Sequence, residues 1–113
     1  MVQRPPSAMI QLSVLTRTPA DAERLAEVLA MEGLLHFMTI EDHVELTWGP
    51  GGAGRTPLTH LHGIARAMHY TLLERKAHAL LGDELVRMWS TPVTNMDPGS
   101  TTHMLGTPRE DEG

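Results

Sequence analysis

His60 and His62, one residue apart, are the pair in this sequence whose type and spacing most directly suggest chemistry. They fall in a segment, residues 60–70, that reads as a strand. Strand side chains alternate with period two, so both imidazoles leave the same side. A His-x-His pair presented in this way can clamp a zinc, copper or nickel ion, given further ligands from elsewhere. His36, His43 or Met68 could complete the set, and His60, His62, His36 and Met68 are the candidate metal ligands. The competing reading is two interface histidines hydrogen-bonded to carbonyls or carboxylates. Of the seven histidines, His69 reads as structural, and His78 and His103 as solvated. His43 follows Asp42, and an Asp-His neighbour pair could orient a general base. Adjacent strand residues point to opposite faces, which argues against that.

Residues 49–57 hold four glycines and two prolines. They read as a flexible, irregular loop. Its backbone amides, with Arg55, could approach a phosphate, but the Gly-Lys-Ser/Thr ending of a P-loop is missing. Cysteine is absent from the sequence, which removes disulfides, thiolate metal sites and thiol catalysis. A net charge of −5 with a single lysine disfavours nonspecific nucleic-acid binding. No apolar run approaches the ~18 residues of a membrane span. Residues 1–8 lack an apolar signal-peptide core, so a cytoplasmic location is expected.

These side chains need elements to position them. Ile10, Leu12 and Val14 alternate with Gln11 and Ser13, which predicts a first strand over residues 9–16. Thr18 is an N-cap, Pro19 a first helical residue and Gly33 a helix stop, giving a helix over residues 19–32. A second strand is expected over residues 36–48, bent near Glu41 and Asp42. The third strand, residues 60–70, puts Leu61, Gly63, Ala65 and Ala67 on one face. Its other face carries His60, His62, Ile64, Arg66, Met68 and Tyr70. Thr71 and Glu74 fit a capping box opening a second helix that ends at Gly82. A fourth strand over residues 85–90 stops before Pro92. The order is β-α-β-β-α-β, a ferredoxin-like α+β domain over residues 9–98 with an antiparallel four-stranded sheet. Residues 1–8 and 99–113 are expected to be flexible termini. Both helices cover one sheet face. The bare face, with its mixture of His, Ile, Met and Tyr, is expected to be buried against another copy. Trp48 and Trp89 are expected at such an interface.

In this order the chain resembles the CutA / PII-like group of ferredoxin-like trimers. The similarity spans about residues 9–105. It is carried by the opening strand Ile10-Gln11-Leu12-Ser13-Val14-Leu15-Thr16 with Pro19-Ala20-Asp21-Ala22-Glu23-Arg24-Leu25-Ala26, by Trp48-Gly49, by the long hairpin, by the step at Tyr70-Thr71, and by Thr91-Pro92-Val93-Thr94 with Pro98 and Leu105. The departures are the missing cysteine, a Gly-rich hairpin where the family has a charged one, a short analogue of the signalling proteins' long loop, and a tail after Pro98 with no convincing helix. The resemblance implies a homotrimeric sensor or metal-tolerance protein, not a catalyst. It implies a small ligand, an adenine nucleotide or a divalent metal (Cu or Zn), bound in subunit clefts near Arg55, Gly82, Asp83 and Arg87. Residues 49–57 would be the contact for any protein partner. The alternative is a small dimeric α+β barrel enzyme, of the monooxygenase or isomerase kind, with His36 or His69 as a pocket base.

Overall fold

The computed structural model describes residues 8–105; the expectations for residues 1–7 and 106–113 lie outside them. The elements follow in the order β1 (Met9–Thr16), α1 (Pro19–Met31), β2 (His36–Gly49), β3 (Gly52–Arg66), α2 (Tyr70–Leu81), β4 (Leu85–Val93) and α3 (Pro98–Met104). The sheet is antiparallel with strand order β2-β3-β1-β4. The fold is therefore the expected ferredoxin-like arrangement with one helix added.

Local chemistry explains most boundaries. The Thr18 hydroxyl accepts from the Asp21 amide at 3.2 Å, and Pro19 opens α1 without losing an amide the helix would use. Gly33 leaves the helix with φ +69°. Leu12 and Val14 from β1, Ala22, Leu25 and Leu29 from α1, Leu61 and Ala65 from β3, and Leu73 and Ala77 from α2 form one buried core. It lies between the helices and one sheet face. Gly63 belongs to the same face, and a Cβ there would come within 2.8 Å of the His36 carbonyl oxygen and 3.0 Å of the Leu35 side chain. The small residues of β3 thus admit close packing, as their pattern predicts.

Several boundaries differ from the sequence reading. Residues 49–57 are not an irregular loop. β2 runs to Gly49 and β3 begins at Gly52, leaving a two-residue turn. Beyond Thr59 the hairpin outruns β1, whose last pair is Thr16 with Thr59. Pro57 therefore lies where β3 has no second neighbour, and its missing amide is tolerated there. β3 ends at Arg66, not at Tyr70. Ala67–His69 is a 3-10 turn and Tyr70 already opens α2, so Met68 and Tyr70 leave the sheet face assigned to them. The Thr71–Glu74 capping box does not form. His69 stands at the N-cap, with no side-chain hydrogen bond to the helix. β4 continues through Pro92 to Val93 because it is an edge strand.

The tail also differs. Pro98–Met104 is helical despite Gly99. Asp97 caps it, accepting from the Ser100 amide at 3.0 Å and the Ser100 hydroxyl at 2.9 Å. Met104 is buried, and the His103 ring packs on His36 and Phe37 at the start of β2. An Asp-Pro start and one buried anchor outweigh the local glycine.

Candidate metal site on the sheet face opposite the helices

The site is set by the pairing of β2 with β3. His36 pairs with Ile64, but Thr39 pairs with His62, so Phe37 and Met38 together oppose one residue. That is a β-bulge, and Phe37 has φ +54° there. Without it, Ile40 would lie opposite His60, and Glu41 would fall on the helix face. A one-residue shift exchanges faces. With the bulge, Glu41 lies directly across from His60, and His43 follows on the same face.

Glu41, His60 and His62 converge there, with one ligand atom from each within 4.8 Å of the others. Glu41 Oε2 is 2.9 Å from His62 Nε2 and 3.7 Å from His60 Nδ1. The His60 and His62 side chains are 17% and 23% exposed, against 53% for Glu41. The two imidazoles are thus largely covered, and the carboxylate stands at the exposed side of the site. Leu15 and Ser13 on β1, both buried, lie across from His60 and His62 and flank them on the same face. Trp89 on β4 stacks on the His60 ring, with centroids 5.7 Å apart and planes inclined by 23°. The expectation that either Trp89 or Met88 faces away from the helices resolves in favour of Trp89, since Met88 packs on the core.

The electrostatics favour a neutral imidazole at His60. Burial lowers its pKa, and the neighbouring His62 and His43 lower it further, against an opposing pull from Glu41. His60 Nε2 is buried and has no hydrogen-bond partner. Two imidazole nitrogens and a carboxylate oxygen suit zinc-like and copper-like ions, which bind deprotonated ligands.

Two members of the candidate metal set are not brought in. His36 Nε2 is 3.2 Å from the Gly33 carbonyl oxygen at the end of α1, and its ring contacts Phe37 and His103. Met68 lies in the 3-10 turn, exposed. Glu41 takes the third place. It was overlooked because its face depends on the bulge at Phe37 and Met38, whereas the sequence suggested a bend at Glu41 itself.

Of the four expected cleft residues, Gly82 and Asp83 share one turn, and Arg55 and Arg87 lie on β3 and β4. Arg87 forms two bonds to Glu45, at 2.9 and 3.3 Å. Gly82 and Asp83 form a turn tied to the residue after β1, where Arg17 Nε donates to the Asp83 carbonyl at 3.3 Å. Arg55 is exposed on the hairpin opposite Leu46. A cavity of about 330 Å³ lies elsewhere, lined by Met9, Val93, Thr94, Asn95, Met96 and Thr101 among others.

No family model matches the sequence, and no curated protein does. Solved structures match its fold. CutA1 from Oryza sativa superposes with a TM-score of 0.77 at 15% identity, over 88% of this chain and 93% of that one. CutA1 from Shewanella sp. SIB1 gives 0.76 at 12%, over 91% and 95%. The periplasmic divalent cation tolerance protein CutA from Archaeoglobus fulgidus gives 0.73 at 12%, over 85% and 94%. This last match overturns the expectation of a cytoplasmic location, because a protein of the same fold is designated periplasmic. No helix among the described residues is long and apolar enough to cross a membrane. The chain has the fold of the CutA divalent cation tolerance proteins, as its β-α-β-β-α-β order and its hairpin led us to expect.

Proposed function

We propose that this chain binds a divalent transition-metal ion at Glu41, His60 and His62 and acts as a homo-oligomer, most simply a trimer, in divalent-cation tolerance. The convergence of these three side chains is the observation that carries the reading. The tolerance role draws on the names of the proteins that share the fold. The periplasmic designation of one of them supports a periplasmic compartment.

The hairpin supports assembly. Past Thr59, β2 and β3 form a two-stranded ribbon with no third strand, and such ribbons are marginal alone. Ile40, Val44, Leu46 and Trp48 share one face of β2 and are all exposed, Trp48 at 78%. The molecule extends 61 × 29 × 22 Å, well beyond a sphere of its mass. A second copy covering the ribbon would bury this stripe. The interface signal is therefore stronger on the ribbon than on the sheet face that bears the histidines.

Thermal unfolding with Zn²⁺, Cu²⁺ and Ni²⁺ tests the metal reading. A ligand at 100 times its Kd adds about 2.7 kcal/mol to apparent stability. For a domain of this size that is a rise in Tm of about 10 °C. The E41Q, H60A and H62A variants are expected to lose most of that rise, while H36A keeps it. Adenine nucleotides belong in the same screen, because Arg55, Gly82, Asp83 and Arg87 are the cleft positions expected to hold them. If none of the three ions moves the midpoint, the metal reading falls.

A further inference from the structure

A histidine that ligates a metal is ordinarily oriented by a hydrogen bond from its second ring nitrogen to a carboxylate, a carbonyl or water. Loss of that partner weakens the metal by about 10–100-fold. His60 has no such bond. Its Nδ1 is the nitrogen turned toward Glu41, 3.7 Å from Oε2, and its Nε2 is buried without a hydrogen-bond partner. The ring has a flat neighbour instead. The Trp89 indole stacks on it, with centroids 5.7 Å apart and planes inclined by 23°. We propose that Trp89 is the positioning residue of the metal site, its indole face holding the His60 imidazole in the ligating orientation that a hydrogen bond would ordinarily fix. This inference rests on the metal reading above and adds to it a residue that touches no ion.

The sheet explains how the indole gets there. The strand order β2-β3-β1-β4 puts β1 between Trp89 and His60. Trp89 pairs with Ser13, and Ser13 with His62, so these side chains share one face. To stack on His60 the indole reaches across β1, and the residue of β1 beside it is a serine. Its short side chain leaves the space, and Ser13 is 4% exposed, as a residue beneath a ring would be.

Two effects make an aromatic face suited to this task. The centroid spacing is that of an attractive stacked pair, so the imidazole loses freedom to swing away before any ion arrives. Once an ion is held at Nδ1, the imidazole shares its positive charge. A cation over an indole face is attracted by the ring quadrupole, more strongly for Trp than for Phe, whereas an aliphatic side chain offers no such field.

Zn²⁺ affinity of the full chain, measured by competition with a chromophoric chelator, tests the role in the W89F, W89L and W89A variants. The thermal midpoint of each metal-free protein is recorded beside it. W89L and W89A should bind about tenfold more weakly, while W89F, which keeps an aromatic face, should lie between them and the parent. A second measurement leaves Trp89 in place. The chain has two tryptophans, so W48F makes Trp89 the sole indole. One equivalent of Cu²⁺ should quench its fluorescence, H60A should abolish the quenching and H36A should preserve it. If W89L keeps the parent's Zn²⁺ affinity while E41Q, H60A and H62A lose theirs, the positioning role is refuted and the three-residue site stands. Equal losses in W89F and W89L, or Cu²⁺ bound without quenching, would refute the stack in the same way. If the parent chain binds neither ion, both readings fall.

Discussion

Gly63 shows how a single residue without a side chain sustains the site. It lies opposite the bulge at Phe37 and Met38, and a methyl group there would sit 2.8 Å from a backbone carbonyl that cannot rotate away. Gly63→Ala is therefore expected to destabilise the fold by about 1–3 kcal/mol, the usual cost of overpacking, as measured by urea unfolding. The same substitution strains the bulge that selects the face of Glu41, so metal affinity should fall with it. A Gly63→Ala protein of unchanged stability would show that the bulge yields readily. At this scale the sequence was half legible. His60 and His62 could be paired from strand period alone. Glu41 could not, because its face depends on where β2 takes up one extra residue, and that is set by packing of Met38 and by the left-handed Phe37. The structure does not bring His36 and Met68 to this site, for related reasons. His36 is captured by the end of α1, and the strand ends before Met68.

Among the elements, α3 makes the clearest statement about pH. Its N-cap carboxylate, Asp97, is held below its ordinary value of 3.8, chiefly by the Ser100 amide and then by the Ser100 hydroxyl. A depressed carboxyl pKa stabilises the fold above the unfolded value, and that contribution is lost as the pH falls through the folded one. The contact of α3 with β2 has an earlier sensitivity. Burial lowers the pKa of His36 below its ordinary 6.5, and the approach of His103 lowers it further, against the opposing hydrogen bond that His36 donates to the Gly33 carbonyl. A histidine favoured in its neutral form contributes fully above pH 6.5, and its contribution fades as the pH drops below it. The protection factors of residues 100–105, corrected for the intrinsic pH dependence of amide exchange, should therefore fall between pH 7 and 5, while the core of β1 stays protected. Its cap should hold until the pH falls below 3.8. Equal protection of α3 at pH 7 and 5 would separate His36 from the docking of the tail. The helix itself was missed in the sequence because Gly99 and the charged end outweighed the Asp-Pro start in a purely local reading. The other elements were legible to within a few residues wherever caps and periodicity agreed. The hairpin was not, because glycines that break isolated strands are accommodated in a ribbon whose partner strand supplies the order.

At the scale of the whole molecule, the helix-covered core and the histidine-bearing sheet face are separate working parts. The helices, the small residues of β3 and the apolar face of β1 create stability on one side. On the other side, Leu15 and Ser13 flank a site whose ligands come from two neighbouring strands, with Trp89 stacked on His60. The exposed ribbon projects beyond both and carries the apolar stripe suited to another copy. The architecture was readable from the order of elements. The division of labour between ribbon and sheet face was not, since both looked like interface in one dimension. The central claim is that metal binds at Glu41, His60 and His62, and the seven histidines offer its most direct test. Long-range ¹H–¹⁵N spectra of the imidazoles, recorded as one equivalent of Zn²⁺ is added, should move the ring nitrogens of His60 and His62 to metal-bound positions. His36, His69, His78 and His103 should stay where they were. Zn²⁺ that leaves His60 and His62 unmoved, or that shifts all seven alike, would contradict the site.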